Sequence, residues 1–430
     1  MTVPPPSLPP APGPSRRRFL GSALGVAALG PLADVRAAFA ADLQATGQDP
    51  SREDYALDPT AIYLNHASLG TVPRAVHKAH LGYLDTLERN PWLYTFGGAW
   101  DASREQTREA AAALLGCDAD EVALTHNTTE AFNLLAAGLP LGTGDEVVFS
   151  ALNHSGASVC WHHWAKQRGY AVRKFALPPT EAARMTTEEL VAAHVEPLTE
   201  RTKILVLPHV DNMVGVRHPI AEITRAAKRA GVEFVAVDGA QAVGMFDVDV
   251  TALGVDFYAT SAHKWLQAPK GSGLLVVRRA LRDVVHPMWV TWGQAIWSDS
   301  ARRFEDYGTR DLPAVLALGD AMAALPRITP ERRQRHFAAL RTALRRRVES
   351  VPQLDWRSPA EWADGGSLAS IEVRGHSARD VAKQLWERHR IVVRGFDGDG
   401  LNALRVSPGL ATGPKDCERL LDVLTREFCG

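Results

Sequence analysis

The chain has 430 residues, 46% hydrophobic and 23% charged, a globular composition with enough apolar side chains for a large core and two domains. Its 48 basic and 49 acidic residues give a formal net charge of -1, so no basic excess points to nucleic acid and no acidic excess to a solvating tail. Four cysteines (Cys117, Cys160, Cys417 and Cys429) are scattered without CxxC spacing, which argues against a disulfide scaffold and against a metal site.

The first 14 residues, "MTVPPPSLPPAPGP", are Pro-rich and cannot pack a core. Next come the basic pair Arg16 and Arg17, an uncharged apolar run from Phe19 to Leu32, and a small-x-small cleavage candidate at Ala38-Phe39-Ala40. That order reads as a secretory signal with a twin-arginine start, and the string Ser15-Arg16-Arg17-Arg18-Phe19-Leu20 resembles the bacterial twin-arginine export signal. The run is short and rich in Gly and Ala for a membrane span, so residues 1–40 are expected to lie outside the fold and to leave no membrane anchor once cleaved. The expected location is periplasmic or extracellular. The rest divides into an N-terminal segment (41–75), a large domain (76–311) and a small C-terminal domain (312–430).

From about residue 60, short apolar runs alternate with amphipathic stretches. The runs 146–150, 203–210, 232–238, 255–261 and 273–279 carry continuous hydrophobics, as strands covered on both faces do. Between them lie helical patterns such as "IAEITRAAKRAG" (220–231), with Gly231 as its stop. Strand–helix–strand alternation predicts an α/β domain with a mainly parallel sheet. After residue 312 come two long helical patterns. The short runs "SLASIEVRG", "IVVRGF" and "ALRVSPG" then predict a smaller α+β domain.

In open α/β sheets, ligands bind beyond the carboxyl ends of the strands. Asp238 to Gln241 follow one apolar run, and Ser261, His263 and Lys264 follow another. Asp211 and Asn212 follow a third. His126 to Glu130 open a helix after the strand "EVALT", and Asn153, His154 and Ser155 follow "EVVFS". Each residue alone has a bland reading, such as a helix cap for Asp238 or a solvated loop for Lys264. Together they make a cofactor site. A helix start with two hydroxyls, Thr128 and Thr129, suits a phosphate. A desolvated lysine beside a histidine suits a Schiff base, and a buried Asp suits a protonated pyridine nitrogen. These three groups fit pyridoxal 5'-phosphate.

"VDGAQAVG" followed by "YATSAHKWLQAPKGSGLL" resembles the class V aminotransferases, which share the fold type I of pyridoxal-phosphate-dependent transferases. "IYLNHASLGTVP", "THNTTEAFNLL", "HVDNMVGVRHPI", "RFEDYGTRDLPAVLALGDAM" and "LRVSPGL" extend the likeness along nearly the whole mature chain. The forms "GTRD" and "LNHASLG" are most similar to the isopenicillin N epimerase-like branch. The resemblance implies a large domain with a seven-stranded, mainly parallel sheet. It implies that Lys264 carries the cofactor as an internal aldimine and shuttles the proton at the substrate Cα. Asp238 would pair with the pyridine nitrogen, and Gln241 and Asn212 would approach the phenolic oxygen. Thr128, Thr129, Ser261 and His263 would hold the phosphate, and Thr309 would reach the phosphate of a neighbouring subunit in an obligate homodimer. Arg405 would clamp the substrate carboxylate, with Asn65 and His66 lining the substrate side. The ring stacked on the cofactor would be His154, by counting back from Trp161; a one-residue gap would put Ser155 there instead.

The stretch before Arg405 contains no cysteine, so persulfide-forming desulfuration is not expected. "CWHHWAKQRG" reads as an ordinary helix with Trp161 and Trp164 turned inward, since adjacent histidines cannot share one helix face. The expected activity is transamination or epimerisation at the Cα of an amino acid or amine. Its alternatives are β-elimination with C–S cleavage, and a non-catalytic cofactor-binding protein.

Overall fold

The computed structural model describes residues 31–44, 51–398 and 400–429. The twin-arginine pair therefore lies outside the described residues. The end of the same segment departs from expectation: residues 31–44 form a helix that belongs to the fold. Leu32, Val35, Phe39 and Leu43 recur at three- and four-residue spacing and make one apolar face. Leu32 and Phe39 are buried in the core, Val35 abuts Gly82, and Asp42 pairs with Lys78. The cleavage candidate Ala38-Phe39-Ala40 thus sits on a docked helix.

The short strand β1 (Ile62–Tyr63) precedes the large sheet, which is built from β2 (Val122–Thr125), β3 (Glu146–Ser150), β4 (Ala171–Phe175), β5 (Thr202–Pro208), β6 (Phe234–Asp238), β7 (Phe257–Thr260) and β8 (Gly273–Val277). Their spatial order is β2-β8-β7-β6-β5-β3-β4. The five strands from β7 to β4 are mutually parallel, and β8 runs antiparallel to both its neighbours. Burial of both faces explains the continuous apolar runs. Along β6, Phe234 and Ala236 enter the core on one face while Val235 and Val237 enter the core on the other. The helix read at 220–231 spans Ile220–Arg229, and Gly231 takes φ +91° just beyond it, a conformation glycine adopts without a Cβ penalty.

Register brings the functional ends together. Pro208 pairs with Asp238, Asp238 with Ala259, Thr260 with Leu274 and Thr125 with Gly273. The carboxyl ends of β2, β5, β6 and β7 therefore share one edge of the sheet.

The C-terminal part adds β9 (Leu354–Trp356), β10 (Ala369–Val373), β11 (Ile391–Val392), β12 (Arg394–Gly398) and β13 (Leu401–Val406). Four of them form an antiparallel sheet in the order β12-β13-β10-β9, while β11 pairs in parallel with β1. Asn65 continues that pairing against Ser407, so residues 62–65 are sewn into the C-terminal part. The helix Leu312–Ala324, read from the sequence as the start of the small domain, is buried almost all round. It packs against the helices Arg74–Arg89 and Asp101–Leu115, with Tyr83 donating to Asp320 at 2.7 Å.

Candidate active site

A cavity of about 270 Å³ opens at the shared strand edge. Of the residues singled out from the sequence, it is lined by Thr128, Thr129, His154, Asn212, Asp238, Gln241, Ser261, His263, Lys264 and Arg405. Of the two alternatives for the ring over the cofactor, His154 lines the cavity and Ser155 does not.

The phosphate end begins at β2. Asn127 caps the helix Thr128–Gly138 by accepting from Glu130 N at 2.9 Å, and Thr128 and Thr129 at that helix start line the cavity. Ser261, just after β7, accepts from Thr128 N at 3.1 Å and meets its hydroxyl at 2.9 Å. Two strand ends far apart in sequence thus converge on one helix start. Gly156 has no room for a side chain against Thr129, which lets the turn carrying His154 close over the helix. His263 places Nδ1 3.2 Å from Ser272 O, which assigns the proton to Nδ1 and leaves Nε2 as an acceptor. Burial, then the adjacent Lys264, push its pKa down to about 4, so the ring is neutral.

At the ring end, Asp238 closes β6 as a buried carboxylate. Its Oδ1 accepts from Ala240 N at 3.0 Å, and its Oδ2 has no hydrogen-bond partner among the described residues. Behind it stand Tyr258 and His209, joined at 2.9 Å, and Gly239 lies flat against the Tyr258 ring. Lys264 has no hydrogen bond from Nζ among the described residues. Burial lowers its pKa to about 8, Asp238 opposes the shift, and Arg405 and Arg394 add to it. The backbone here is held from two sides. Gly70 N donates to His263 O at 2.9 Å, and a Cβ on Gly70 would lie 2.7 Å from the Lys264 carbonyl carbon. Gln267, which donates its N–H to Lys264 O, sits at φ +60°, an uncommon conformation stabilised by the buried contact of its side chain with Tyr55.

At the substrate end, Arg405 is only 2% exposed. Its Nη1 donates to Asn212 O at 2.9 Å, and its Nη2 donates to Asn65 Oδ1 at 3.1 Å and Ser68 Oγ at 2.6 Å. Burial and the neighbouring Arg394 push its pKa down to about 9, still a cation at neutral pH.

Several expected positions differ. Asn65 does not line the cavity and reaches it only through Arg405. His66 is turned into the interior, with Nε2 at 3.1 Å from Thr71 Oγ1, its ring against Gly409, and burial pushing its pKa down to about 3. The pairing of 62–65 with 391–407 rotates it away from the substrate side. Gln241 lines the cavity, but its amide is engaged with Ala67 O at 2.9 Å and Trp265 Nε1 at 2.7 Å. Thr309 is exposed and outside this chain's cavity. Lys270 donates to Gly70 O at 2.7 Å and so braces the loop against Lys264. Sequence reasoning passed over Ser68, Gly70, Gly156 and Arg394. Of these, Arg394 had a signal: "RGFDGDGLNALR" is a hairpin pattern that sets Arg394 opposite Arg405.

The donor set fits pyridoxal 5'-phosphate. A phosphate cradle, an unpartnered buried carboxylate oxygen and an unpartnered, half-buried amine stand at separate strand ends around one cavity.

Comparison with known proteins agrees. The family model for aminotransferase class-V matches residues 62–405. The isopenicillin N epimerase of Streptomyces clavuligerus is 31% identical over 86% of this chain and 95% of its own length. That of Amycolatopsis lactamdurans is 32% identical over 88% and 98%. A solved structure of C-DES, with glycine covalently linked to its pyridoxal-phosphate cofactor, superposes with a TM-score of 0.78. It is 23% identical and covers 88% of this chain and 99% of that one.

Proposed function

The chain belongs to the aminotransferase class-V family and is a pyridoxal-phosphate-dependent enzyme, and on that premise we propose that Arg405 holds the α-carboxylate of an amino acid while Lys264 moves the proton at its Cα. The cofactor, when bound, supplies an electron sink that acidifies the Cα–H bond. Thr128, Thr129 and Ser261 hold its phosphate by hydrogen bonding, and His263 joins them by donating from Nε2 once the phosphate's negative charge favours the protonated ring. Asp238 keeps the pyridine nitrogen protonated, and His154 covers the ring. Asn212 stands beside the phenolic oxygen; Gln241 positions that wall through Ala67 and Trp265. Burial lowers the pKa of Lys264, which suits an amine that must accept and return a proton near neutrality.

One observation carries this reading: Lys264 and Asp238 face the same cavity with uncommitted polar atoms, and Arg405 enters it as a buried cation. Transamination and epimerisation at Cα are the outcomes it supports. Epimerisation needs no amino acceptor, which suits an enzyme outside the cytoplasm. The test is direct. Pyridoxal 5'-phosphate added to apoprotein should produce a visible absorption band that Lys264→Ala lacks, and amino acids that perturb the band are then analysed for keto acid, epimer or elimination fragment. An equal band in the alanine variant, or none in either protein, would sink the reading.

Two further features complete the proposal. The enzyme works as a homodimer in which Thr309 reaches the neighbour's phosphate. Thr309 is exposed close to the apolar loop holding Trp289, Val290, Trp292 and Ile296, and Trp289 packs on Tyr307. A sedimentation analysis showing cofactor-loaded monomers would refute the dimer. The enzyme leaves the cytoplasm by the twin-arginine route. Arg16→Lys with Arg17→Lys should retain the precursor, and unchanged export would disprove this. Cleavage after Ala40 requires the helix 31–44 to be undocked, because Phe39 is buried in the core.

A further inference from the structure

Arg394 and Arg405 are direct cross-strand partners in the β12–β13 hairpin. Opposite residues in such a pair project to the same face, and like charges there repel. Both guanidinium groups stand over the Phe396 ring, at 5.1 Å and 5.5 Å from its centroid, and both line the cavity. Their surroundings differ. Arg405 is buried and committed to Asn212, Asn65 and Ser68. Arg394 is exposed, and among the described residues it makes no ion pair and no side-chain hydrogen bond.

The charges around the cavity do not balance. Its lining holds the cations Lys264, Arg394 and Arg405 against a single carboxylate, Asp238. Asp238 answers the pyridine nitrogen, the helix start answers the phosphate, and an α-carboxylate answers Arg405. Among the described residues of this chain, Arg394 is left without a counter-charge, although it costs its hairpin a repulsion. We propose that Arg394 is a specificity-determining residue that binds a second anionic group on the substrate, so that the enzyme acts on amino acids with a carboxylate-bearing side chain. This rests on the reading that Arg405 holds the α-carboxylate. The exposed position of Arg394 at the cavity rim places the second carboxylate towards the entrance, away from the cofactor cradle.

The test uses cofactor-loaded enzyme and matched ligands: glutamate with glutamine, and 2-aminoadipate with norleucine. Apparent dissociation constants come from the change in cofactor absorbance. A charge-assisted contact at a partly exposed arginine should favour the dicarboxylate of each pair by about tenfold. That ratio should fall to within about twofold in Arg394→Gln and recover in part in Arg394→Lys, with circular dichroism confirming that each variant folds. Equal binding of both members by the unmodified enzyme overturns the proposal. So does an Arg394→Gln effect that weakens both members alike, which would mean that both arginines clamp the α-carboxylate. Absence of any spectral change with any amino acid defeats the functional reading itself.

Discussion

Lys264 should capture the cofactor with a pH dependence that no solvated lysine shows. An amine attacks an aldehyde only when unprotonated. With burial lowering its pKa to about 8 from the ordinary 10.5, about one Lys264 in ten is neutral at pH 7, against about one in 3000 for a solvated lysine. Relative to a blocked lysine in the same buffer, capture of pyridoxal 5'-phosphate should be about 300-fold faster at pH 7 and only about twofold faster at pH 10.5. Taking the ratio cancels the titration of the cofactor itself. Stopped-flow absorbance on mixing apoprotein with cofactor measures it. The sign at the neighbours follows from their charges. The Asp238 carboxylate favours the ammonium, so Asp238→Asn should move the midpoint below 8. Arg405 disfavours it, so Arg405→Gln should move the midpoint up. A ratio that stays flat between pH 7 and 10.5 would refute the claim that Lys264 is desolvated.

Gly70→Ala should displace the lysine. The added Cβ would lie 2.7 Å from the Lys264 carbonyl carbon, so the two loops must part by about 1 Å, a misplacement that can cost about 100-fold in activity. Far-UV circular dichroism should be retained while cofactor capture falls steeply, and unchanged capture would disprove the close approach. Glu305 is a stability prediction. It is buried and accepts from Arg108 Nη1 and Nη2 at 2.8 Å each, from Arg310 at 2.9 Å and from Leu124 N at 2.6 Å. Burial alone would raise its pKa, but Arg108 and then Arg310 hold it down to about 2. A depressed acid contributes stability above its unfolded pKa and loses it as pH falls through the folded value, here about 3 kcal/mol between pH 4.5 and 2. Glu305→Gln should therefore cost about 3–5 kcal/mol in urea denaturation at pH 7 and clearly less near pH 2.5. A gap that does not narrow would refute the ion-pair account.

The sequence by itself determined the α/β class, six of the seven strands of the large sheet (all but β4) and the edge at which chemistry collects. Parallel strands covered on both faces must be continuously apolar. The polar residues that follow them (Asp238, Ser261, Lys264, Thr128, His154) then mark the carboxyl ends without any knowledge of packing. What local pattern does not carry is which residues meet across the chain. His66 stands in a motif beside Asn65, yet pairing of 62–65 with 391–407 turns it into the interior. Residues 31–40 read as the end of a leader, and only the fold shows that the helix 31–44 lays its apolar stripe on Gly82 and the core beneath it. Gly70 is an unremarkable glycine until the fold sets it against the Lys264 carbonyl. Arg394 acquires a meaning only when the hairpin register places it opposite Arg405 over Phe396. Strand and helix follow from local periodicity, whereas the orientation of each side chain towards or away from the cavity follows from contacts between segments hundreds of residues apart, and only the tertiary structure fixes those.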